Sequence, residues 1–141
     1  MASAYGAGVQ RSMPFLLTGG ISGAGARWGV GEVLSSPAAA LLAVNTIGSL
    51  ILGVVTVLGR EQREDSSGAR PPSHVSPIRL GLTVGFCGGL TTFSELAVDL
   101  VSRWREGVGG APALAVASVG IGLTAVIVGR RVGRRLNWTA S

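Results

Sequence analysis

Gly85-Phe86-Cys87-Gly88-Gly89-Leu90-Thr91-Thr92-Phe93-Ser94 sets glycines and hydroxyls inside an otherwise apolar segment. Hydrocarbon offers the backbone no hydrogen-bond partner, so chain that leaves the helix at membrane depth is tolerated only where protein or a water-filled cavity satisfies it. An interruption in such a segment therefore marks a site. Each glycine costs a helix about 1 kcal/mol relative to alanine, and the pattern predicts a break near Gly88-Gly89. Two half-helices would then meet head to tail, the first offering carbonyls to a cation and the second amides to an anion. Upstream, Gly81, Gly85 and Gly89 recur at four-residue steps and form a doubled stripe for close helix contact. Downstream, Glu95 and Asp99 fall on one helical face.

The rest of the chain places this stretch in a membrane. One domain accounts for 141 residues. Hydrophobic residues make up 47% and charged residues only 13%, with a mean hydropathy of +0.49, too apolar for an ordinary soluble domain. No charge occurs between Glu32 and Arg60 or between Glu106 and Arg130, and each run exceeds the roughly 20 residues a span needs. The runs between Arg11 and Arg27 and between Arg79 and Glu95 are long enough once a charge is admitted near an end; such charges snorkel or serve a function. The expected fold class is an all-α integral membrane protein of four transmembrane helices, at about 14–34, 37–58, 78–104 and 113–132, with the third broken. Residues 1–12 read as a loose tail and 60–77 as a solvated loop. The first run lacks a signal-peptide pattern.

All the positive charge is arginine. These arginines flank apolar runs rather than interleaving with aromatics, which argues against nucleic-acid binding. With four spans, Arg11, Arg60, Arg63, Arg70, Arg79, Arg130, Arg131, Arg134 and Arg135 lie on one side and Arg27, Arg103 and Arg105 on the other. The excess of arginine puts both termini in the cytoplasm. Cys87 is the only cysteine and His74 the only histidine, so no thiolate or imidazole metal cluster exists. Cys87 reads as a small packing residue and His74 as an idle loop residue.

Within the helices, Gly19 and Gly23 make a close-contact face. Arg27 either snorkels to the interface or holds carbonyls. Ser35-Ser36-Pro37 reads as a turn and cap. Asn45 and Ser49 share a face, and a buried amide in lipid serves either as glue between helices or as a pore-lining donor.

These motifs together resemble the CrcB/Fluc family of fluoride channels. The similarity is carried by Gly19-Gly20 through Gly23-Ala24 with Arg27, by Val44-Asn45-x-x-Gly48-Ser49, and by the stretch from Gly85 to Ser94. It implies passive export of fluoride across the plasma membrane, relieving fluoride toxicity, by an antiparallel dual-topology-type dimer in the lipid bilayer. It also implies a structural sodium ion on backbone carbonyls of Gly88 and Thr91 from both subunits, oxygen ligands suited to a hard cation. The pore would be lined by Asn45, Phe93 and Ser118, with the hydroxyls of Thr92 and Ser94. Arg27, Gly85 and Gly89 take structural roles. One position departs: the family's Thr-Thr-Phe-Ser-Thr-Phe reads Thr91-Thr92-Phe93-Ser94-Glu95-Leu96 here. Lost phenylalanine and biased arginines point to a heterodimer with a paralogous subunit. Two other classes compete. A proton-coupled exporter of the small multidrug-resistance type needs a carboxylate in the first helix, for which only Glu32 is available. A non-transporting membrane scaffold subunit would tolerate alanine at Asn45 and Phe93.

Overall fold

A computed structural model describes residues 2–58, 76–107 and 109–138. Most of the expected 60–77 loop, with Arg60, Arg63, Arg70 and His74, lies outside them. The elements in chain order are α1 (Ala2–Val33), α2 (Pro37–Leu58), α3 (Pro77–Leu80), a π-helical stretch (Gly81–Phe86), α4 (Cys87–Leu90), α5 (Phe93–Arg105) and α6 (Ala111–Trp138).

Three helical stretches are long and apolar enough to cross a membrane: Pro37–Leu58, Pro77–Arg105 and Ala111–Leu136. The chain is a multi-pass membrane protein. Its surface agrees, since Ile21, Val33, Val84 and Val116 are all more than half exposed, an apolar display that water would penalise and lipid does not. α1 has the length, at 32 residues, but its glycines, hydroxyls, Arg11 and Arg27 keep it out of that set. α1 also differs from expectation at its start. Residues 2–12 are helical and Pro14 lies inside the helix rather than in its first turn. A proline removes one backbone donor, and the small residues ahead of it continue the helix regardless.

The helices pack as two pairs, α1 against the segment from α3 to α4, and α2 against α6. Glycine permits the first pair. A side chain on Gly81 would meet the Phe15 carbonyl oxygen at 2.6 Å, and one on Gly85 the Leu16 carbonyl oxygen at 2.8 Å. Gly19 and Gly23 face back onto the carbonyls of Gly81 and Phe86, and Gly89 onto that of Gly20. The second pair uses Gly53 on α2 against the Val126 carbonyl, and Gly129 on α6 against that of Leu50.

Turns join α1 to α2 and α5 to α6. Ser36 Oγ accepts from Ala39 N at 3.4 Å at the start of α2. Gly107 and Gly110, with φ of 66° and 102°, take backbone conformations open to glycine between α5 and α6.

Candidate functional site

The interruption of the third segment falls at Thr91-Thr92, and not at the glycine pair. Gly88 and Gly89 are helical within α4. Thr91 (φ −82°, ψ 149°) and Thr92 (φ −145°, ψ 119°) are extended, and α5 begins at Phe93. Glycine propensity was outweighed because the helix flank of Gly89 is needed against α1, whereas the threonine pair finds substitute hydrogen bonds.

Those bonds come from α2. Thr92 N–H donates to Asn45 Oδ1 at 2.9 Å, and Asn45 Nδ2 donates to the Thr92 carbonyl at 3.3 Å. One side-chain amide thus supplies the acceptor that Thr92 N–H loses at the interruption and adds a donor to the Thr92 carbonyl, as an adjacent strand would. Thr92 Oγ1 then caps α5 by accepting from Glu95 N at 3.3 Å, a favoured use of threonine. Thr91 turns back onto α4, its N–H and its Oγ1 both donating to the Cys87 carbonyl, at 2.9 and 2.8 Å. Asn45 is therefore glue in this subunit, with one amide N–H unspent among the described residues.

Gly48, one turn beyond Asn45, seats the Thr91 methyl; a Cβ there would collide with Thr91 Cγ2. Val44, beside Asn45, is only 1% exposed. Neither role is readable from the sequence beyond its presence in a motif. Adding one methyl to a packed site costs about 1–3 kcal/mol. Gly48→Ala should lower the detergent melting temperature, and Thr91→Ser, which deletes the opposing methyl, should restore most of the loss.

The other expected site residues separate by exposure. Phe93 is 78% exposed, while Leu96 is 5% exposed and turns into the subunit, so the two share no open face. Ser94 is exposed, with its Oγ 3.4 Å from Thr92 Oγ1. Ser118 is buried and donates to the Leu114 carbonyl at 2.7 Å. Gly88 is exposed, with open space where a side chain would stand. Thr92 N–H, the donor a continued helix would send to the Gly88 carbonyl, goes to Asn45 instead, so the carboxyl end of α4 keeps oxygen atoms without helical partners. Among the described residues no three His, Cys, Asp or Glu gather as a metal site.

Arg27 and Glu95 meet across α1 and α5, Nη1 to Oε2 at 3.8 Å. Both line a cleft of about 600 Å³ with Trp28, Glu32, Ser35 and Val44. Asp99 is held within α5 by Arg103 Nε at 2.8 Å.

Comparison with known proteins adds to this geometry. The family described as "CrcB-like protein, Camphor Resistance (CrcB)" matches residues 14–130. The chain is similar to "Fluoride-specific ion channel FluC 2" of Symbiobacterium thermophilum, 38% identical over 138 residues, covering 87% of this chain and 98% of the relative. It is also similar to "Fluoride-specific ion channel FluC" of Synechocystis, 36% identical over 134 residues, covering 89% and 95%. A third relative, "Fluoride-specific ion channel FluC 1" of Yersinia pseudotuberculosis, is 38% identical over 94 residues, covering 63% and 66%. The matched span contains the glycine-paired helices, the asparagine clamp and the extended threonine pair, and the chain belongs to the CrcB family.

Proposed function

We propose that this chain is a subunit of a fluoride-selective channel, not an enzyme, and that it lets fluoride leave the cytoplasm passively across the plasma membrane. The observation that carries this is the Thr91-Thr92 interruption clamped by Asn45, with the Phe93 ring left open immediately after it. A pore for fluoride must replace a tightly held water shell with fixed donors and polarised groups. The unspent Asn45 N–H, the Ser94 hydroxyl and the positive edge of Phe93 are groups of that kind. The names of the relatives support the same reading.

The assembly we propose is an antiparallel dimer of four-span subunits, with both termini of this chain cytoplasmic. Exposed Phe93 and Gly88 would then face the second subunit or the path beside it. The carbonyls of Gly88 and Thr91 from two subunits fit a sodium ion, being uncharged oxygen donors at a helix end. When bound, the ion offsets the partial negative charge of the helix ends and has no transported role. Buried Leu96 in place of an aromatic, together with the numerals 1 and 2 in some relatives' names, favours a paralogous partner.

Reconstituted into liposomes, alone or with such a partner, the protein should release fluoride and retain chloride; equal chloride release would refute the reading. Phe93→Ala should cut fluoride release at least about tenfold, since a preorganised electrostatic contact is lost. It should leave the melting temperature unchanged, because the ring packs on little within the subunit. Glu32→Gln should leave release intact, whereas a proton-coupled exporter would lose it.

A further inference from the structure

Thr92 and Glu95 stand at the spacing of a capping box, in which the glutamate carboxylate turns back onto the cap residue's own amide. Half of that box is present, Thr92 Oγ1 accepting from Glu95 N. The other half is pre-empted, because Thr92 N–H already donates to Asn45 Oδ1. The Glu95 carboxylate instead reaches α1 and lies 3.8 Å from Arg27. That separation is beyond hydrogen-bond length, so the guanidinium keeps its N–H donors available. With side-chain exposures of 37% and 60%, both partners are hydrated and the pair is open to competition.

We propose that Glu95 competes with the permeating anion for the Arg27 guanidinium and so sets the affinity with which the anion is collected in this cleft. The proposal rests on the channel reading above. The chain carries a formal charge of +5, yet the cleft sets one guanidinium against two carboxylates, Glu32 and Glu95. Its local balance works against collecting anions, and it is Glu95 that stands against the guanidinium. The charge lining a cleft sets the local concentration of ions, so removing the Glu95 charge takes the cleft from a net −1 to neutral and leaves the guanidinium without the carboxylate that stands against it.

The test is fluoride efflux from liposomes measured over a range of fluoride concentrations, each variant in the same assembly as the wild type. Glu95→Gln should lower the half-saturating fluoride concentration by about two- to fivefold, the scale of an exposed ion pair. The shift should shrink as an impermeant salt is raised from about 0.01 M to about 0.3 M, because screening weakens the attraction. Adding Glu95→Gln to Arg27→Gln should produce no further shift. If Glu95→Gln elutes as an aggregate, Glu95→Thr serves in its place. An unchanged half-saturation, or the same shift with Arg27 already removed, overturns the proposal while leaving the channel reading standing. Absence of any fluoride efflux from the wild-type protein overturns both.

Discussion

Asn45→Leu should unfold the site and not merely block it. The substitution removes two hydrogen bonds, to the Thr92 N–H and the Thr92 carbonyl. The Thr92 N–H is then left unsatisfied beside the buried Thr92 side chain, while the Thr92 carbonyl keeps the bond that an N-cap carbonyl accepts from the first turn of α5. The orphaned donor costs about 1–3 kcal/mol, and lipid offers no water to relieve it; loss of the second bond adds about 1 kcal/mol. The combined loss of about 2–4 kcal/mol is a large share of the roughly 5–15 kcal/mol by which folded domains are stable. We expect a detergent melting temperature lowered by at least about 10 °C for a small domain and fluoride release at the liposome background. Asn45→Asp keeps the acceptor for Thr92 N–H and loses the donor, so its melting temperature should fall between the two. A leucine variant that melts like the wild type, while failing to conduct, would make Asn45 a pore donor and not a clamp.

Gly89→Leu should be at least as damaging, through packing instead of hydrogen bonding. A side chain at Gly89 would stand against the Gly20 carbonyl and 3.1 Å from Ala24 N. Both are backbone atoms of a helix that cannot rotate away, so α1 and α4 must separate along the whole glycine row. Overpacking a close contact costs about 1–3 kcal/mol, and separation adds the lost dispersion contacts of the neighbouring turns. The protein should aggregate on size exclusion in detergent. Gly25 supplies the control, because its side-chain direction meets nothing within 4 Å. Gly25→Ala should be neutral or gain up to about 1 kcal/mol from helix propensity. Equal tolerance of Gly89→Leu and Gly25→Ala would mean that α1 and α4 are not in close backbone contact.

Of the candidate site, the sequence made the residue list legible and left its wiring obscure. Asn45, Thr91, Thr92 and Phe93 stand out because polar and glycine residues are conspicuous in an apolar run. Glu95 stands out as a departure, yet its partner Arg27 belongs to another helix and no local spacing links them. Leu96 reads as the position of a missing aromatic; its burial in this subunit depends on how α5 is rotated, which a short helix does not disclose. The π-helical stretch Gly81–Phe86 has no sequence signal of its own.

What the chain determined by itself is what accumulates locally. Apolar runs sum residue by residue into membrane-spanning helices, and glycines at four-residue steps on α1 and along Gly81, Gly85 and Gly89 prepare surfaces that two helices can share. The tertiary structure decided where the third segment leaves the helix. Local propensity favoured Gly88-Gly89, by about 1 kcal/mol per glycine. The interruption moved to Thr91-Thr92 because an asparagine 47 positions earlier accepts the Thr92 N–H that has lost its helical partner and donates to the Thr92 carbonyl as well. A helix in lipid can break only where such a partner waits, and which partner waits where is fixed by packing, not by neighbours in the chain.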